Sequence, residues 1–230
     1  MFTPKTLAFI AENRGRNSKE WFTSHKDEYN ELVRDPLLGL AETLAPAMNE
    51  IDSRIITDPK NSVSRIHCDM RFSKDMLYRE MLWISFRRDK KAYPGWPEFF
   101  FVFTPREFFY GCGYYSASAG AMEAVRGLIL ADSPAFRAAK EAYETQDLFK
   151  ICGDMYKRSR YPDYSEELKE WLDRKTICFS YAPEDIREMF SPDLPEKMST
   201  SYLHMKPVYD FLVFAEETAA VEKHGAPNEV

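Results

Sequence analysis

The sequence predicts an α+β fold: a central, mainly antiparallel sheet of about five strands flanked by N-terminal and C-terminal helices. Three observations carry this expectation. Apolar residues recur at helical spacing up to Glu50, at a period of two between Val63 and Tyr115, and at helical spacing again after Ser116. The loops between the alternating stretches are mostly short, which suits an antiparallel meander. Of 230 residues, 44% are hydrophobic and 30% charged, an ordinary globular composition with enough chain to bury a core. A single domain is expected over residues 1–218, with the polar residues 219–230 as a frayed tail.

Thr3 followed by Pro4 marks the first helix start, with Thr3 as cap and Leu7, Ile10 and Ala11 as the buried face. Asn17 is expected to cap a second helix, with Glu20 in capping-box position and Phe22, Tyr29 and Val33 as its stripe. Asp35-Pro36 is expected to break or kink that helix and can start a third, which buries Leu37, Leu40, Ala41 and Leu44. Asp58 to Asn61 reads as a turn.

Strands are then expected at Val63–Phe72, around Leu82–Phe86, at Glu98–Thr104, at Glu107–Tyr115 and, late in the chain, at Thr176–Tyr181. The run E-F-F-F-V-F-T is apolar enough to be covered on both sides. Gly111-Cys112-Gly113 signals a bulge or a close backbone approach. Helices return with Met122, Val125 and Ile129, then with Ser133-Pro134 as cap and first residue. A basic loop, Lys157 to Asp163, precedes a short helix that turns Leu168, Trp171 and Leu172 inward. Pro183-Glu184-Asp185 starts another short helix, and Pro207 is expected to kink the last helical region or split it in two.

The net charge of −6 argues against a global nucleic-acid footprint. No apolar run reaches membrane-span length, and M-F-T-P-K-T-L does not read as a secretory signal, so the expected location is cytoplasmic. The four cysteines, Cys68, Cys112, Cys152 and Cys178, are far apart in sequence and are expected to be reduced thiols. The sequence holds no Walker loop, no dinucleotide fingerprint and no nucleophile elbow, and no cofactor is expected. His25, His67, His204 and His224 are scattered, and no metal site is expected.

The densest mixture of charge and aromatic character lies between Val63 and Arg79. Read as a strand, it sorts Ile66, Cys68, Met70 and Phe72 onto one face and Arg65, His67, Asp69 and Arg71 onto the other. Lys74, Asp75, Tyr78 and Arg79 follow at once. Forked guanidinium donors, a carboxylate to orient them and a phenol to cap them are what a phosphate or carboxylate site uses. The ligand-binding set is therefore Arg65, Arg71, Lys74, Tyr78 and Arg79. If chemistry occurs, Asp69 or Asp75 serves as general base and His67 as a second proton carrier. A structural ion network on a solvated sheet face is the competing reading. A second functional class is a non-catalytic interaction module. It would use Trp96, Tyr114 and Tyr115 beside the basic row to hold a protein or a single nucleic-acid strand.

N-S-K-E-W-F at Asn17–Phe22, Tyr29, Asp35-Pro36-Leu37 and above all R-I-x-x-D-x-R-F-S-K-D at Arg65–Asp75 resemble a bacterial family known only as domain of unknown function 2461. The family pattern carries Arg where this chain has Cys68, and a Lys-x-Pro-Tyr-Lys ending where this chain has Met76 to Arg79. The resemblance spans nearly the whole chain and implies one domain, but no activity.

Overall fold

The computed structural model describes residues 1–221 except Met70, Phe72 and Lys74, together with the backbone of 222–224. Predictions made for Met70, Phe72 and Lys74 therefore lie outside the described residues. The chain groups into two compact units. One comprises Met1–Phe86, Phe100–Tyr110 and Ala182–Ser201; the other comprises Arg87–Phe99, Gly111–Tyr181 and the chain from Tyr202 onward. A five-stranded antiparallel sheet is built from β1 (Leu82–Phe86), β2 (Glu98–Phe103), β3 (Phe108–Gly113), β4 (Lys150–Cys152) and β5 (Cys178–Tyr181), in the order β1-β2-β3-β5-β4. Helices precede and follow it, so the fold is α+β.

In the first unit, helix α1 (Pro4–Arg16) starts where Thr3 adopts extended φ and ψ, and Thr3 donates its backbone N–H to Thr6 Oγ1 at 3.0 Å. Its buried residues are Thr6, Phe9, Ile10 and Asn13. The expected face of Leu7, Ile10 and Ala11 is thus rotated, and Ala11 is exposed. Asn17 does not cap the second helix: it closes α1 in the left-handed region, with φ 46° and ψ 38°. Ser18 caps α2 (Lys19–Ser24) by accepting from Trp21 N.

Helix α3 (Lys26–Tyr29) continues through a π-helical stretch, Asn30–Arg34, into α4 (Asp35–Ile51). The predicted break at Asp35-Pro36 is therefore absorbed, because Asp35 stays in the right-handed helical region. Pro36 has no N–H to give Leu32 O, and the buried Thr6 hydroxyl donates there instead at 2.7 Å. Leu37, Leu40, Ala41 and Leu44 are all buried, as the periodicity predicts. After the one-turn helix α5 (Pro59–Ser62), the core of this unit takes in Phe2, Phe101, Phe103 and Phe108. Strand β2 buries Phe99, Phe101 and Phe103 but leaves Phe100 and Val102 half-buried, so it is not covered equally on both faces.

The second unit contains α6 (Ala119–Leu130), α7 (Pro134–Glu144), α8 (Glu166–Leu172) and α10 (Lys206–His224). Ser118, Ser133 and Ser165 cap the first three through their hydroxyls. Helix α9 (Leu194–His204) ends just before α10, with Pro207 in the first turn of the latter, as expected. Gly111 marks a close approach: a Cβ there would lie 1.9 Å from Phe179 O. Strand β4, which the sequence reading missed, runs antiparallel to β5 with Cys152 opposite Cys178. The pair forms a disulfide with Cα atoms 5.0 Å apart, which corrects the expectation of four reduced thiols. Cys68 and Cys112 are free, and burial pushes the Cys112 thiol up.

Candidate functional site

The stretch from Val63 is not a strand of the sheet. It pairs through two isolated antiparallel bridges, Val63 with Ile84 and His67 with Tyr78. Next to the first bridge Ser64 N donates to Trp83 O and Trp83 gives its N–H to the Ser64 hydroxyl, each at 2.9 Å. On either side of the second bridge the chain pairs as a hairpin: Cys68 N donates to Leu77 O and Arg79 N to Ile66 O, each at 2.8 Å. Over Arg65 to Cys68 the expected alternation survives, with Ile66 buried, Cys68 half-buried, and Arg65 and His67 exposed.

Two side chains from α1 and its cap hold this hairpin in the first unit. Asn17 Nδ2 donates to Asp75 O at 2.8 Å while Asn17 Oδ1 accepts from Leu77 N at 2.7 Å. Arg14 Nη1 donates to Tyr78 O at 2.5 Å. Behind the hairpin the Phe22 ring meets Tyr78 at 4.8 Å and His67 at 5.3 Å. Neither Asn17 nor Arg14 was assigned to this role from sequence. Side-chain amides that satisfy backbone groups 58 and 60 residues away leave no local pattern to read.

The charged groups fall into two linked sets. Asp69 accepts three hydrogen bonds from the Arg71 guanidinium, the shortest 2.6 Å, and one from Arg71 N. These bonds, then the nearby charges of Arg71 and Arg79, hold the Asp69 carboxyl down at about 2. Arg71 remains largely exposed, with four-fifths of its side chain in solvent. Arg79 donates Nε to His67 O at 3.1 Å and lies 4.8 Å over the Trp83 ring. Partial burial of His67, then the charge of Arg65, lowers its pKa. It is therefore a neutral imidazole near pH 7. Tyr78 is buried, and that burial, then the charge of Glu20, raises its phenol. Asp75 is exposed and its backbone carbonyl, rather than its carboxylate, is the group held by Asn17.

Arg65, His67, Asp69, Arg71, Tyr78 and Arg79 thus gather on one clamped hairpin. The His25 ring stacks on Trp21 at 4.1 Å and bonds Trp21 O. A cavity of about 510 Å³ in the same unit lies elsewhere, lined by Phe2, Asp35, Leu40, Thr43, Met189 and Leu194 among others. The interaction-module reading loses one member, because Tyr114 is buried and donates its hydroxyl to Leu212 O. Tyr115 is exposed, and Trp96 lies under Arg88 at 4.9 Å. Among the described residues, no three His, Cys, Asp or Glu side chains are grouped so as to hold a metal ion. Nor is any helix among them long and apolar enough to cross a membrane.

The chain belongs to the DUF2461 family of conserved hypothetical proteins, whose model matches residues 5–211. No curated protein matches it.

Proposed function

We propose that the hairpin binds a small anionic ligand bearing a phosphate or carboxylate group. The observation that carries this reading is the disposition of its arginines. Asp69 fixes the Arg71 fork, while the Arg65 guanidinium and the two terminal nitrogens of Arg79 make no hydrogen bond among the described residues. Forked donors held on a clamped backbone suit planar oxyanions. Asp69 acts here by orienting Arg71, since a carboxylate held at about 2 is a weak proton acceptor near neutrality. If the ligand is also processed, the neutral His67 and the exposed Asp75 are the groups left to move a proton. Lys74 adds a further cation to the ligand-binding set in this reading.

Thermal unfolding with a panel of phosphorylated and carboxylate metabolites tests it. A ligand at 100 times its Kd stabilises the wild type by about 2.7 kcal/mol. Arg71→Ala and Arg65→Ala lose most of that gain. Equal stabilisation of wild type and variants, or no stabilising ligand in the panel, refutes the site.

A further inference from the structure

The second unit contains another cationic feature, built around Tyr156. Arg160 stacks on its ring at 3.8 Å from the centroid, with Arg126 at 5.5 Å and Lys175 at 5.9 Å. The loop that carries it reads M-Y-K-R-S-R-Y from Met155 to Tyr161, three cations and no acid, in a chain whose net charge is −6. Lys157, Arg158, Arg160 and Lys175 are all exposed, and none forms an ion pair among the described residues.

The loop is fixed rather than loose. Buried Asp173 accepts Arg160 N at Oδ1, 2.8 Å, and its carbonyl accepts Tyr156 N at 2.9 Å. The Asp173 carboxylate thus accepts the backbone N–H of Arg160, while the guanidinium of Arg160 stacks on the ring. Lys175 N donates to Asp154 O, Arg174 Nη1 to Gly153 O and Arg126 Nη2 to Arg174 O. Holding like charges together on a rigid loop costs electrostatic energy, which a bound polyanion removes. Tyr161 and the exposed Tyr164 lie beside the cations with ring centroids 6.1 Å apart, ready to take a base on a face.

We infer that this surface binds a single nucleic-acid strand, with backbone phosphates on Lys157, Arg158, Arg160 and Lys175 and bases stacked on Tyr161 and Tyr164. Alternating cations and rings are the means by which strands are held without sequence readout. Four phosphate contacts predict a slope of log affinity against log salt of about −3, at about 0.7 per contact for a single strand.

The test is fluorescence anisotropy of a labelled dT20 oligonucleotide titrated with the full chain at several salt concentrations. Lys157→Ala/Arg158→Ala lowers affinity and flattens the slope by about 1.4. Tyr164→Ala weakens binding about fivefold or more at unchanged slope, because stacking releases no counterion. Lys206→Ala, which removes an exposed cation paired with Asp210, leaves both unchanged. All these side chains are exposed, and a wild-type unfolding midpoint confirms each variant folds. Absence of binding at low salt overturns the inference. So does equal binding by the double variant, or duplex bound as tightly as dT20.

Discussion

Substituting Asn17 separates two contributions that meet at one residue. Its amide makes two hydrogen bonds to the hairpin backbone, 2.8 and 2.7 Å long. At about 0.5–1.5 kcal/mol net for each, the clamp contributes about 1–3 kcal/mol. Asn17 also sits at φ 46°, where an alanine costs about 1 kcal/mol more than a glycine. Asn17→Gly therefore loses the clamp alone, and Asn17→Ala loses about 2–4 kcal/mol in all. For a chain of this size, at about 3 °C per kcal/mol, the alanine variant melts about 6–12 °C lower. Urea unfolding measures both, with the midpoint falling at unchanged slope. The binding readout follows the clamp: both variants weaken phosphate-ligand stabilisation, because residues 75–77 are no longer held against α1. Wild-type stability in Asn17→Gly refutes the clamp, and identical losses in the two variants refute the left-handed contribution.

Proton NMR of the histidine ring, assigned with His67→Gln, reads a His67 pKa below 6.5 that rises when an anion neutralises the arginines. Because folding lowers that pKa, the unfolded chain binds more protons below 6.5, and the stability from neutral His67 is lost as pH falls through the folded value. The wild type should therefore gain stability over His67→Gln between pH 5 and 7. Gly111→Ala places a Cβ against three backbone atoms of Phe179 and Ser180 and should cost about 3 kcal/mol or more, seen as loss of soluble folded protein. Gly127→Ala, in mid-helix with nothing within 4 Å, should instead raise the unfolding free energy by up to about 1 kcal/mol, seen as a higher urea midpoint. Cys152→Ser opens a cross-link spanning 26 residues, and loop entropy sets the loss at about 3.5 kcal/mol or less in chemical denaturation. No change there relative to the oxidised wild type argues against the disulfide.

Much of the fold was legible because its causes are local. The Thr3-Pro4 and Ser133-Pro134 helix starts, the Leu37–Leu44 stripe and the alternation of Leu82, Ile84 and Phe86 depend on neighbours within a turn or a strand. Gly111 announced a close approach because only a missing Cβ lets Phe179 O come so near. The three-residue strand β4 was not legible, since K-I-C is too short for any period and pairs only because β5 lies beside it. Its absence from the reading also concealed the Cys152–Cys178 pairing. From Val63 to Cys68 the expected strand is realised only as isolated bridges to Ile84 and Tyr78, because alternation sorts side chains but does not set how far backbone pairing runs.

The candidate site divides along the same line. Sequence alone determined which residue types crowd together between Arg65 and Arg79, and that Ile66 turns inward while Arg65 and His67 turn out. Tertiary structure decided that Arg14 and Asn17 clamp that stretch, that Arg71 is bound to Asp69, and that Arg79 lies over Trp83. It also gathered Arg126, Arg160 and Lys175, spread over some fifty positions, around the ring of Tyr156. Periodicity encodes which way a side chain faces, whereas the partner it meets is set by chain reversals whose bonds cross tens of residues.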